Sequence, residues 1–367
     1  MTEFRITAPE WIRTLTPYPP GIPIEELERE LGITGSIKLA SNENPLGPSP
    51  KALAAIAAAL PNLHRYPDGS AFYLKRRLAE RHRVSPDEIL VGNGSNEILE
   101  LVVRTFMRTR DEAVMAEQAF VVYRLVVQAV GGVAHPVPLR DFTHDLEAMA
   151  EAVTVRTRVV FLGNPNNPTG TIFRRAAWQS FLRALPPHVL VVADDAYADY
   201  VEDADYPDTV AERGEGRVPV ITLRTFSKLY GLAGLRIGYA VGPATLIELM
   251  HRVRQPFNVN ALAQIGARAA LEDDEHVRRT LALNREGKAF LERGLTELGL
   301  ACVPSAANFL LVRVGRAARI YDALLRRGVI VRPMDVYGFP EHLRITVGRV
   351  EENQRCLEAM TAVVRGG

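Results

Sequence analysis

The sequence predicts an α/β protein with a largely parallel sheet, followed by a smaller α+β unit. Three observations predict it. Short runs such as "VVFLG", "VLVVAD" and "VITL" are apolar without polar alternation, as suits strands buried on both faces. These runs alternate with amphipathic helical stretches, the pattern of parallel strands joined by crossovers. Each run ends in a glycine-rich or polar turn.

The chain has 367 residues, enough for two domains. Its first ~45 residues are rich in Pro and Gly ("TPYPPGIPIEELERELGI", "ASNENPLGPSP") and predict an arm with one short helix over Glu25–Leu31. "PKALAAIAAALPNL" and "AFYLKRRLAERHRV" predict helices, the second with a solvated basic face. "EILVGNGSNEILELVVRTFM" reads as strand, glycine turn and helix, and "EAVMAEQAFVVYRLVVQAVGG" repeats that scheme. "RVVFLGNPNNPTG", "VLVVADDAY", "VITLRTFSK" and "RIGYAVG" add four strands with polar ends. Beyond about residue 250 a long helix-rich stretch precedes strand-like "NFLLVRV", "VIVRP" and "HLRITVG". The expected domains are an arm over 1–45 that packs with the small domain, a large domain over 46–257 and a small domain over 258–367.

A formal net charge of +1 gives no electrostatic case for nucleic acid or an anionic membrane. The first twenty residues show no basic segment followed by an apolar run, so a cytoplasmic chain is expected. Cys302 and Cys356 form no CxxC pair and are expected to be reduced structural thiols. The eight histidines are scattered singly without HxH or HExxH spacing, so no metal site is expected. Trp11 and Trp178 are expected to pack rather than bind.

Ligands of open α/β sheets bind beyond the carboxyl ends of the strands, and the informative residues cluster there. Gly92 and Gly94 sit at a strand-to-helix turn, with Ser95, Asn96 and Glu97 opening the helix. Such a turn is either an anion site or a plain cap. In "GNPNNPTG", two prolines fix the backbone and Asn166 and Asn167 are expected to point donors into a site. Asp194 follows a buried strand and needs a cationic or N–H partner. Asp195 is expected to face the other way, as a solvated helix start, and Tyr197 lies one short turn on.

Only five of the 44 Lys and Arg residues are lysines, and Lys228 stands in an apolar, glycine-rich segment. A partly desolvated lysine loses its proton readily and becomes a nucleophile for carbonyls. Thr225, Ser227 and Arg236 surround it with phosphate-binding groups. An anion site, an amide, a carboxylate, a lysine and an arginine in that order are the groups needed to hold pyridoxal phosphate.

The whole chain resembles the fold-type I pyridoxal-phosphate aminotransferases, and within them the histidinol-phosphate group. The likeness is carried by "LTPY", "LASNENPLGPSP", "RYPDGSAFYLKRRLA", "GNGSNEILELVVRTF", "GNPNNPTG", "DDAYADY", "TFSKLYGLAGLRIGYAVG", "NFLLV" and "HLRITVG". It implies a mostly parallel seven-stranded sheet between helices. It also implies Lys228 as Schiff-base lysine and proton carrier, Asp194 on the pyridine nitrogen, and Asn167 and Tyr197 on the ring oxygen. Gly94, Ser95, Asn96, Thr225, Ser227 and Arg236 would bind the cofactor phosphate, and Phe120 would stack on the ring. Tyr66 would reach the phosphate of the other subunit, which makes the active unit a homodimer. Tyr18, Asn42, Asn167, Arg332 and Arg344 would bind substrate, the two arginines taking its anionic end. The chain departs from the family pattern at Leu229, where relatives carry a small residue, and at Ile22, where similar arms carry lysine.

The implied reaction moves an amino group between L-histidinol phosphate and 2-oxoglutarate. The same transfer on aromatic keto acids shares every cofactor motif, and a closely similar decarboxylase of the threonine-phosphate type is a further alternative. A ligand-sensing regulator would carry a helix-turn-helix segment ahead of the domain, and the arm leaves no room for one.

Overall fold

The computed structural model describes residues 7–214 and 217–366; the first six residues of the expected arm lie outside the described residues. Its strands in chain order are β1 (Ile37–Lys38), β2 (Ile89–Gly92), β3 (Glu112–Ala116), β4 (Val133–Val137), β5 (Thr157–Gly163), β6 (Leu190–Asp194), β7 (Val220–Thr225), β8 (Gly238–Val241), β9 (Ala301–Val303), β10 (Phe309–Arg313), β11 (Val329–Ile330), β12 (Arg332–Pro333) and β13 (His342–Thr346).

Seven of them form one sheet in the order β2-β8-β7-β6-β5-β3-β4. The pairs from β7 through β6, β5 and β3 to β4 are parallel, and β8 runs antiparallel between β2 and β7. Fold-type I architecture with a mostly parallel sheet is therefore what the chain adopts. The absence of polar alternation has a direct cause. On β5, Val159 and Phe161 enter the core on one face, and Val160 and Leu162 enter the core on the other. Side chains alternate with period 2, so a strand covered on both sides must be apolar throughout.

Helices cover both faces. Gly94–Phe106 buries Ile98, Leu99, Leu101, Val102 and Val103 under the sheet. Pro50–Ala59 starts where Ser49 accepts a hydrogen bond from the Ala52 N–H, with proline at its first position. That helix packs against Ala261–Ala270, where Gly266 lets the two approach: a Cβ there would meet Ile56 at 2.9 Å.

The smaller sheet, β12-β13-β10-β9, has its own core of Leu310, Val312, Leu343 and Ile345, closed by the helices Asp274–Glu297 and Val350–Arg365. Within the expected arm, β1 pairs in parallel with β11 as a separate two-stranded sheet. Cys302 and Cys356 are both unpaired. Trp178 is fully buried, whereas Trp11 is 37% exposed and lies over Gly131.

The loop after Lys228 is fixed by a backbone crossing. Gly231 has φ +65°, and a Cβ on it would stand 2.2 Å from the Gly47 carbonyl oxygen. Gly231→Ala is therefore expected to cost about 3 kcal/mol or more of stability, from left-handed strain plus the clash. Urea unfolding checks it; an unchanged midpoint would refute the crossing as a constraint.

Candidate active site

Strand direction builds the site. β2, β3, β5, β6 and β7 all end at one edge of the sheet, and the antiparallel β8 begins there. From this edge Ser95, Phe120, Asn167, Asp194, Lys228 and Arg236 all line one cavity of about 540 Å³. The smaller sheet supplies Arg332 and Arg344, and the N-terminal segment supplies Tyr18 and Asn42. Asn96, Tyr197, Thr225 and Ser227 line the same space.

One end collects hydrogen-bond donors. Ser95 and Asn96 open the helix Gly94–Phe106, whose N-terminus favours an anion. Gly94 stands behind them: a Cβ on it would meet the Arg236 guanidinium at 2.8 Å, so the glycine lets that cation approach. Ser227 and Thr225 are buried beside it, and Arg236 itself is exposed.

At the sheet end of the cavity, Asp194 is 6% exposed. Its Oδ2 accepts the Tyr123 hydroxyl at 2.7 Å and its Oδ1 accepts the Ala196 N–H at 3.2 Å. Burial pushes its carboxyl up, and these donors together with Lys228 oppose that. Lys228 Nζ donates to the Ser41 carbonyl at 3.1 Å and lies 5.6 Å from the Tyr197 ring centroid. Burial, with Arg344 adding repulsion, lowers its pKa to about 8. The Tyr197 hydroxyl accepts from Asn42 Nδ2 at 2.8 Å.

Another part of the cavity is cationic. Arg344 donates to the Asn167 side-chain oxygen and, at 2.8 Å, to the Ala40 carbonyl, while its Nε is buried with no hydrogen-bond partner. Arg332 donates to the Pro19 carbonyl at 2.8 Å and sits 5.5 Å over the Tyr18 ring. Two guanidinium groups lining one end of a cavity make that end a place for an anion.

Two expectations fail. Asp195 is fully buried, not a solvated helix start. It accepts from Thr209 at 2.8 Å and lies 3.4 Å from Arg224, and burial pushes its carboxyl up to about 7. Asn166 does not point into the site. It is fully buried, and its Nδ2 donates to the Gln118 carbonyl and to Thr169, which holds the loop that presents Asn167. Tyr66 does not line the cavity; it is 84% exposed and stacked on Phe257 at 4.9 Å. Sequence reading also missed Glu43, Tyr123 and Tyr337, which all line the cavity. Only Tyr123 carried a signal, as the tyrosine one helical turn after Phe120.

The arrangement can seat an anion, hold a proton on a ring nitrogen and offer an amine to a carbonyl. Residues 34–360 match the family described as aminotransferase class I and II. The chain belongs to the class I and II aminotransferases. It is 50% identical to the histidinol-phosphate aminotransferase 1 of Nitrosococcus oceani, over 96% of this chain and 95% of that one. It is 49% identical to the histidinol-phosphate aminotransferase of Moorella thermoacetica, over 97% of this chain and 92% of the relative. The histidinol-phosphate aminotransferase of Sinorhizobium meliloti, solved in complex with pyridoxal-5'-phosphate, superposes with a TM-score of 0.91 at 29% identity, covering 100% of this chain and 99% of that one. As an aminotransferase, the chain presents its lysine, its strand-end carboxylate and its arginines to one cavity. Among the described residues, no helix is long and apolar enough to cross a membrane.

Proposed function

We propose that this aminotransferase holds pyridoxal 5'-phosphate on Lys228 and transfers an amino group between L-histidinol phosphate and 2-oxoglutarate, in the cytoplasm and in histidine biosynthesis. The observation that carries it is the convergence of Lys228, Asp194 and the Arg332–Arg344 pair on one cavity, in a chain half identical to relatives that bear that name. The two unpaired cysteines suit a reducing compartment.

When bound, the cofactor supplies a carbonyl for amine capture and a ring that accepts the electrons of a substrate C–H bond. Each residue then has a defined task. Ser95, Asn96, Thr225, Ser227 and Arg236 hold the phosphate and so fix the register of the ring. Phe120 covers one ring face. Asp194 keeps a proton on the ring nitrogen, and Asn167 and Tyr197 donate to the ring oxygen. The Lys228 amine, with its pKa lowered to about 8, would hold and move the proton of the substrate carbon. Arg344 and Arg332 bind the substrate's anionic end, with Tyr18 as a wall. Tyr66 serves the partner subunit of a homodimer. Leu63, Tyr66, Phe72 and Tyr73, large apolar or aromatic side chains exposed on one short stretch of chain, support that reading, since an interface would cover them.

The test is a half-reaction. The cofactor-loaded protein is mixed with L-histidinol phosphate and no keto acid. Fast, saturable conversion of the cofactor from its carbonyl to its amine form is expected, followed by absorbance. Conversion with phenylalanine or tyrosine alone would reassign the arginine pair to a carboxylate and the protein to aromatic substrates. Release of carbon dioxide without amine formation would mark a decarboxylase.

A further inference from the structure

We propose that Tyr123 is a positioning residue that, through its hydrogen bond to Asp194, keeps the shared proton on the ring nitrogen of the bound cofactor. The inference rests on the pyridoxal-phosphate reading above.

The geometry is specific. Tyr123 stands on the helix Val122–Ala129 and is 2% exposed. Its ring is stacked on Phe161, with centroids 5.1 Å apart and planes 8° from parallel, and meets Phe120 edge-on at 5.7 Å. Both contacts fix the ring plane, so the hydroxyl points in one direction, and that direction ends 2.7 Å away on Asp194 Oδ2. Space for it comes from the neighbouring strand. Gly163 is the register partner of Asp194, and a Cβ on Gly163 would stand 3.3 Å from the Tyr123 hydroxyl.

The chemistry follows from what the bond does to a carboxylate. Asp194 is buried, and burial drives it toward the neutral acid; among the groups that oppose this, the Tyr123 hydroxyl is the strongest. A donor to the charged form lowers the basicity of that carboxylate. A less basic Asp194 leaves the proton between it and the ring nitrogen on the nitrogen, where electron withdrawal needs it. Tyr123 stays a donor throughout, because burial and the adjacent carboxylate push its own ionisation far upward. It acts only through Asp194, whereas Phe120 covers the ring directly.

The experiment uses the holoprotein loaded with pyridoxal phosphate labelled with nitrogen-15 in the ring, whose chemical shift reads protonation of that nitrogen. Tyr123→Phe keeps both aromatic contacts and removes one oxygen. Its signal is expected to move toward the unprotonated position, with kcat lowered about tenfold or more and KM nearly unchanged, the size of one hydrogen bond to a charged group. A merely structural tyrosine would lower loading or stability and leave the shift in place, so an unmoved signal overturns the proposal whatever kcat does. Should Tyr123→Phe fail to load, Gly163→Ala decides. It crowds the hydroxyl and is expected to move the signal the same way by less, and no movement overturns the proposal. A wild-type protein that gives no bound signal at all would instead overturn the cofactor reading, and this proposal with it.

Discussion

Lys228→Ala is expected to abolish turnover in the presence of saturating amino donor and keto acid, a loss of at least about 10⁴-fold. The proposed role asks the residue for two things, capture of a carbonyl and movement of a proton between the two carbons that flank the transferred nitrogen, and alanine can do neither. Nothing nearby substitutes for it, since the other cations facing the cavity, Arg236, Arg332 and Arg344, do not lose protons. The same reasoning predicts a pH dependence in the cofactor-free protein. A lysine at its ordinary value is neutral in only a few parts in ten thousand at pH 7, whereas one near 8 is neutral in roughly a tenth. The sign is set by the direction of the shift. Lowering the pKa makes the amine available from about pH 8 upward, so the rate of aldehyde capture should rise through pH 8 and level off above it. A rate that still climbs through pH 10 would mean that Lys228 is neither buried nor repelled as the geometry requires. Full activity in Lys228→Ala would overturn the assignment itself.

Asp194→Asn is expected to lower kcat about 10³-fold and to weaken cofactor retention. Asparagine matches the shape of aspartate but carries no charge, so the ring nitrogen loses the anion that holds its proton. The Tyr123 hydroxyl and the Ala196 N–H, which now converge on a carboxylate, would face an amide that can accept through one oxygen only. The fold should tolerate the change, because the carboxylate is itself an unfavourable burial. Steady-state kinetics with a parallel urea titration separates the two effects. A normal kcat would remove Asp194 from the mechanism, and a collapse of stability would assign it to the fold.

Most of the sheet was legible because its strands are short, apolar and bounded by turn residues, a pattern set by neighbours in sequence. The same holds for the strand-end positions of Ser95, Asn167, Asp194 and Lys228, which follow from where each run stops. Asp195 was misread for a physical reason. A residue after a strand end alternates to the opposite face, and whether that face meets water depends on elements elsewhere. Here Arg224, Thr209 and Tyr206 close over it. Asn166 was misread in the same way, since the Gln118 carbonyl that accepts from its Nδ2 lies 48 residues earlier.

The sequence by itself determined the fold class, the run of strand-end functional groups and the family, because each is written in local pattern and motif order. Only the tertiary structure decided which groups act on one another. Tyr123 and Asp194 are 71 residues apart. Arg344 reaches Asn167 across 177, and Asn42 reaches Tyr197 across 155. Such pairs are chosen by strand order and by how the smaller sheet packs beside the larger one, and local pattern carries no information about either. The perturbed lysine shares this origin: its residue type was visible, but the burial and the neighbouring Arg344 that lower its pKa exist only once both sheets and the N-terminal segment enclose it.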